Sequence, residues 1–314
     1  MNYSETLSWI HGTERFGSRL GLGRMGRLLH RMGDPHLKVP YIHVAGTNGK
    51  GSTTTMIASA LTAGGFRTGK FISPFILEFR ERMQIDGEMI PEETLAALAT
   101  RLRPIAEEFK AAGDPPTEFE LVTVLGLTWF AEAGCDIAVL EVGLGGRLDA
   151  TNIIPAPLVA VITRIDYDHT AILGDTLAAI AGEKCGIIKR GSTVVSYPDQ
   201  AEEALTVIRR RAAEEDAPLR LPDPARLTVL SSDLTGSRIC YKGQEVFIPL
   251  AGPHQILNAA TALEALEALS GSRFALPPSA VAAGIAAARF PARLELLRQS
   301  PPVLVDGAHN PNGG

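Results

Sequence analysis

The run His43-Val44-Ala45-Gly46-Thr47-Asn48-Gly49-Lys50-Gly51-Ser52-Thr53 combines what a nucleotide phosphate requires. Small residues let the backbone approach a polyanion, a lysine supplies a point charge, and hydroxyls can reach a metal ion. The spacing departs from the common phosphate loop. With Lys50 as the lysine, the usual hydroxyl position is Gly51 and the hydroxyl arrives at Ser52. An apolar run, Val39 to Val44, precedes the loop, and a helix-forming run, Thr53 to Ala63, follows it. The loop is therefore expected between a strand and a helix N-terminus, whose free amides and positive dipole end face the ligand.

Other segments add chemistry of the same kind. Glu141 ends an apolar strand in Val139-Leu-Glu141-Val-Gly143-Leu-Gly145-Gly146-Arg147. A carboxylate beside phosphates suits magnesium, which prefers oxygen ligands and bridges phosphate oxygens; the plainer alternative is a buried ion pair with Arg147. In Asp166-Tyr-Asp168-His169, the histidine could be a base, a metal ligand or a loop residue capping a helix. Lys184, in Gly182-Glu183-Lys184-Cys185, is a third candidate. A lysine whose pKa falls can, as the neutral amine, take up carbon dioxide and become an anionic, oxygen-bearing carbamate. From these residues alone, a surface ion pair of Lys184 with Glu183 or Asp175 is the simpler reading.

These groups need a frame. Strand-like runs at Tyr41–Val44, Gly69–Ile72, Ile137–Glu141, Val159–Thr163 and Thr193–Ser196 alternate with helical runs at 53–63, 92–111, 118–133, 176–187 and 201–213. Largely apolar strands alternating with helices predict an α/β fold, a mostly parallel sheet covered on both faces. Right-handed crossovers then gather the strand-to-helix loops on one rim, where such sheets bind ligands. Between 222 and 250 the pattern changes to short strands with a hairpin at Lys242-Gly243, which predicts a small antiparallel sheet. Helices are expected again at 256–269 and 279–288. Pro291 marks a boundary between residues 1–292 and the start, at 293–314, of a further domain that the sequence cuts short.

The 314 residues are 45% hydrophobic and 21% charged, as in ordinary globular domains. A net charge of −5 argues against a general nucleic-acid binder. The three scattered cysteines lack metal-ligand spacing and read as reduced thiols. With no apolar stretch of spanning length and no leader-like opening, the expected address is the cytoplasm, away from membranes.

Together these segments resemble the folylpolyglutamate synthase/dihydrofolate synthase family of the Mur ligase superfamily. The resemblance runs through Leu20-Gly-Leu-Gly-Arg24-Met25, the phosphate loop, Ser73-Pro74, Phe79-Arg-Glu-Arg82 and Thr117-Glu-Phe119-Glu120. It continues through Glu141 to Asn152, Asp168 to Lys189, Gly252 to Asn258, Pro291 to Glu295, and Asp306-Gly-Ala-His309-Asn310-Pro311. It implies a Mur-ligase-like ATPase domain. Thr47, Asn48, Gly49, Lys50, Gly51 and Ser52 would hold ATP with Asn258, Arg293 and Asp306. Ser73, Glu141, His169 and a carbamylated Lys184 would serve two magnesium ions, with a monovalent cation as a further candidate. Lys50, Lys184, His169 and Arg293 would carry the chemistry. Thr117, Phe119, Glu120, Leu148, Asp149 and Ala150 would bind the pterin, Phe119 by stacking and Asp149 by accepting N–H bonds. Ser73-Pro74-Phe75-Ile76 departs from the family's usual Ser-Pro-His-Leu, and the family carries roughly a hundred more residues beyond the last motif, a domain of ordinary size.

The implied reaction joins L-glutamate to the carboxylate of dihydropteroate or a reduced folate in a monomeric enzyme. A cell-wall Mur ligase, a phosphotransferase and a form that only binds ligand remain as rivals at this point.

Overall fold

The computed structural model describes residues 1–13 and 21–307; Leu20 and the His309-Asn310-Pro311 motif lie outside the described residues. In chain order the elements begin with α1 (Tyr3–His11), α2 (Gly23–Arg31), β1 (Tyr41–Ala45), α3 (Lys50–Ala63) and β2 (Thr68–Phe71). Next come β3 (Met83–Ile85), β4 (Glu88–Met89), α4 (Glu92–Ala111), α5 (Glu118–Glu132), β5 (Ile137–Glu141) and β6 (Val159–Ile162). Then follow α6 (Thr170–Leu173), α7 (Leu177–Lys184), β7 (Thr193–Ser196), α8 (Glu202–Glu214) and β8 (Leu219–Arg220). The last are β9 (Leu227–Asp233), β10 (Gly236–Tyr241), β11 (Gln244–Ile248), α9 (Pro253–Glu267), α10 (Pro278–Ala287), β12 (Glu295–Gln299) and β13 (Pro302–Val305).

The main sheet has the order β4-β3-β2-β5-β1-β6-β7-β8. Strands β2, β5, β1, β6, β7 and β8 run parallel, and β3 and β4 are added antiparallel at one edge. The expected parallel core is therefore present, with an antiparallel edge that the sequence reading did not include. Its turn, Asp86-Gly87, has φ of 54° and 86° at its two residues, the left-handed pair that a tight hairpin demands.

Strands buried on both faces explain their apolar composition. Ile42 and Val44 of β1 face α3, α9 and α10, whereas Tyr41 faces the cluster of α1, α2, α4 and α5. The faces differ because successive side chains point to opposite sides of the sheet. On the second face a separate cluster joins α7 and α8 to β6 and β7. The antiparallel sheet β11-β10-β9 forms as expected and buries Ile239, Val246 and Ile248 against α9 and α10. The helix expected over 176–187 ends at Lys184 and tightens into a 3₁₀ turn at Cys185–Ile187. Among the described residues, no helix is long and apolar enough to cross a membrane.

Candidate active site

The phosphate loop joins β1 to α3 at the carboxyl rim of the sheet, and its backbone geometry selects glycine. Gly49 caps α3 with φ of 84°, and a methyl there would collide with Asn258 Oδ1. The left-handed conformation and the collision both exclude a side chain. A methyl on Gly51 would meet the Phe290 ring at about 2.6 Å from Cε1. Thr47 and Asn48 donate their amides to the Arg164 carbonyl at 2.8 and 3.2 Å. The Thr47 hydroxyl exchanges bonds with the Asp166 backbone at 3.0 Å, and Lys50 Nζ donates to Thr47 O at 3.2 Å. The strand-end segments after β1 and β6 are thus tied into one floor.

A cavity of about 440 Å³ opens over this floor. It is lined by Thr47 to Ser52, by Ser73, Glu141, His169 and Lys184, and by Asn258, Arg293 and Asp306. All the residues expected at the nucleotide and metal positions therefore border one space. Arg164, Tyr197, His254 and Gln255, to which the motifs assign no role, border it too.

Glu141 is buried at the end of β5, and its Oε2 accepts a bond from Ser73 N at 3.2 Å. Burial pushes its carboxyl up to about 7, against the pull of Lys50, that amide, Arg293 and Lys70. Arg147 does not pair with it; Arg147 reaches Glu183 instead, at 2.9 Å. Lys184 is 4% exposed, so the expected surface ion pair does not form. Its Nζ donates to Gly46 O at 2.8 Å, and burial, with Lys50 nearby, brings its pKa down to about 7. What buries it is a close backbone approach, since a Cβ on Gly146 would lie 2.7 Å from Lys184 O. His169, in contrast, is largely exposed, in the left-handed region at φ 49°, at the start of α6.

No group of three His, Cys, Asp or Glu side chains able to hold a metal comes together among the described residues. The expected set fits a hard cation differently, as a hydroxyl (Ser73), a buried carboxylate (Glu141) and an imidazole (His169). Magnesium keeps several waters and takes phosphate oxygens, so few protein ligands suffice.

A second cavity of about 320 Å³ shares Ser73, Pro74, Gly143 and Leu144 with the first. Thr117, Phe119, Glu120, Leu148, Asp149 and Ala150 all line it. Thr117 caps α5, and Glu120 reaches back in a capping box, its Oε2 accepting from Thr117 N at 2.8 Å. Arg24 Nε donates to that same oxygen at 2.8 Å. Glu120 Oε1 is buried with no partner among the described residues. The Phe119 ring lies over Gly143, where a Cβ would come within 2.5 Å of Cζ. Asp149 differs from the expectation of an acceptor waiting for ligand. Its Oδ2 takes Leu144 N at 2.9 Å, and its Oδ1 takes both the amide and the hydroxyl of Thr151. Arg82 also lines this cavity, stacked over Phe75 and Phe79, with a buried Nε that has no partner among the described residues.

A family model for the Mur ligase middle domain matches residues 44–266. The chain is 42% identical over 320 residues to the dihydrofolate synthase/folylpolyglutamate synthase of Bacillus subtilis, covering 99% of this chain and 74% of that protein. It is 38% identical to the folylpolyglutamate synthase of Lacticaseibacillus casei, covering 100% of this chain and 75% of that one. Among solved structures, the FPGS–AMPPCP–folate complex superposes with a TM-score of 0.90 at 36% identity, over 100% of this chain and 78% of that chain. The family model spans most of the main sheet, these relatives match nearly the whole chain with the phosphate loop and both cavities, and the chain belongs to the folylpolyglutamate synthase/dihydrofolate synthase family of Mur ligases.

Proposed function

We propose that this protein joins L-glutamate to the carboxylate of a folate or dihydropteroate at the expense of ATP. The observation that carries this reading is the shared wall of the two cavities. Ser73, Pro74, Gly143 and Leu144 border both. A heterocycle on Phe119 can therefore extend its carboxylate toward phosphates held by the glycine loop.

In the first step a substrate carboxylate oxygen attacks the γ-phosphorus, the bond to the β–γ bridging oxygen breaks, and ADP leaves behind an acyl phosphate. Lys50, Arg293 and the amides at the start of α3 balance the charge of that transfer. The glutamate amine then attacks the activated carbonyl, phosphate departs, and the amine proton is lost to form the amide. Without activation the carboxylate has no competent leaving group and repels a nucleophile. In the pterin cavity, Glu120 supplies a carboxylate acceptor and Phe119 the stacking face.

Ser73, Glu141 and His169 would hold magnesium, which when bound neutralises phosphate charge. We further infer a second ion served by Lys184 as a carbamate, formed when the neutral amine adds carbon dioxide and releases a proton. A pKa near 7 leaves much of that amine neutral in the cell. A monovalent cation, a monomeric state, a cytoplasmic address and no role for nucleic acid or membrane complete the reading. Residues 1–292 are assigned to the ATP-binding unit, and the chain from 293 onward to the next one.

Incorporation of labelled glutamate into dihydropteroate and tetrahydrofolate, assayed side by side, tests this. Lys50→Ala and Glu141→Ala should abolish it. Unchanged incorporation by either variant would refute the mechanism, and ATP turnover without incorporation would favour a phosphotransferase.

A further inference from the structure

Directly beneath the loop that separates the two cavities lies a buried histidine that the reaction above does not use. His43, on β1, has no exposure to solvent, and its Nε2 lies 2.9 Å from Thr151 Oγ1. Thr151 Oγ1 in turn contacts Asp149 Oδ1, and Asp149 Oδ2 holds Leu144 N at 2.9 Å. Leu144 borders both cavities. The chain of contacts thus runs from the phosphate-loop strand to the wall between the two ligands.

Proton counting gives this chain a direction. Asp149 accepts amide bonds from Leu144 and Thr151, which suits the carboxylate and leaves it no proton to give. The single hydroxyl proton of Thr151 therefore points to Asp149. Thr151 Oγ1 is then an acceptor toward His43, and the ring must carry its proton on Nε2. His43 Nδ1, buried without a partner among the described residues, is correspondingly the bare nitrogen. A charged ring would bring a second N–H with nowhere to donate. Burial, with Lys189 close by, holds its pKa down at about 3.

We propose that His43 is a positioning residue. As the neutral Nε2–H tautomer, it locks Thr151 and Asp149 so that the Gly143–Leu144 segment stands at the height the pterin substrate requires. Lys189 holds the chain that follows Thr151, its Nζ donating to Asn152 O at 2.9 Å and to Ile154 O at 2.6 Å. The pterin part of this statement rests on the proposed function; the hydrogen-bond direction does not.

The test has arms of both kinds. In ¹⁵N-histidine-labelled protein, His43 should show a protonated Nε2 and a bare Nδ1. Amide exchange at Leu144 and Thr151 should quicken about tenfold in His43→Leu and in Thr151→Val, the loss of roughly one buried hydrogen bond. His43→Gln, whose side-chain N–H reaches the place of Nε2, should exchange like the parent. Pteroate affinity should fall by about the same factor in the two disrupted variants, with AMPPCP affinity changed less than about twofold. A proton on Nδ1, or exchange in His43→Gln as fast as in His43→Leu, would overturn the proposal by leaving only a space-filling role. Parent protein that shows the expected tautomer and exchange pattern yet ignores pteroate would uphold the relay and refute the pterin assignment.

Discussion

Replacing Glu141 by glutamine should make the ligand-free protein more stable while it destroys activity. The carboxyl is buried, enters no ion pair among the described residues and is held up at about 7, against an ordinary 4.5. A folded-state pKa above the unfolded one means that the native state binds the proton more tightly. Stability from this group is therefore fully present below pH 4.5, declines as the pH rises from 4.5 to 7, and stays reduced above 7. The displacement corresponds to about 3 kcal/mol at pH 8, an upper bound because water can relax around the charge. Glutamine keeps an oxygen for the Ser73 amide and carries no charge. In EDTA, Glu141→Gln should melt with the parent near pH 4 and roughly 5 °C above it at pH 8. Adding magnesium to AMPPCP should then raise the parent's melting temperature further and add little to the effect of AMPPCP alone in the variant. A difference that does not depend on pH, or a variant less stable at pH 8, would refute the claim that an uncompensated charge sits at that strand end.

Three further outcomes follow from the geometry. Gly49→Ala combines a disfavoured φ of 84° with a collision against Asn258, and should cost about 1–3 kcal/mol in urea unfolding and most of the AMPPCP affinity. Gly143→Ala places a methyl 2.5 Å from Phe119 Cζ, so KM for the pterin substrate should rise at least about tenfold while KM for ATP stays within about twofold. With ¹³C-bicarbonate, a carbamate carbon resonance should appear in the parent and be missing in Lys184→Gln; its persistence in the variant would move the modification elsewhere.

Much of this site could be read from the residues because its signals are local. A glycine loop between a strand and a helix, and a carboxylate at a strand end, are defined within a dozen neighbours, and the parallel topology puts them on one rim. Lys184 could not be read that way. Its burial depends on Gly146, 38 residues earlier, and on Gly186, two residues on, which together let loop and helix end touch backbone to backbone. It depends too on Arg147 pairing with Glu183, the neighbour otherwise available to the lysine. Asp149 was legible as a residue of the second cavity, and the structure adds local bonds that it makes there. Asp149-Ala150-Thr151 has the pattern of a carboxylate bonding the amide two residues on, a local habit of aspartate that competes with ligand binding. Arg82 and Lys70 carry no local signal, because Arg82 leads into the edge hairpin β3–β4 and Lys70 lies on β2, which that hairpin covers. Lys70 is 7% exposed, and burial lowers its pKa to about 8.

The charges themselves argue for what must bind. A chain selected for stability alone would pair its buried ions or replace them with apolar groups, since an isolated buried charge costs several kcal/mol. Here Glu141 is left with an amide and Lys184 with a carbonyl, and neither forms an ion pair among the described residues. Opposite charges held apart across one cavity, with Lys50 and Arg293 beside them, suit an occupant that carries both signs. A polyanion bridged by a divalent cation is such an occupant: the phosphates meet the lysine and the amides, and the cation meets the carboxylate. On that account, adding AMPPCP without magnesium should stabilise the protein less at pH 8 than at pH 6. At the higher pH Glu141 is ionised and repels the phosphates, and only the cation can reverse that sign.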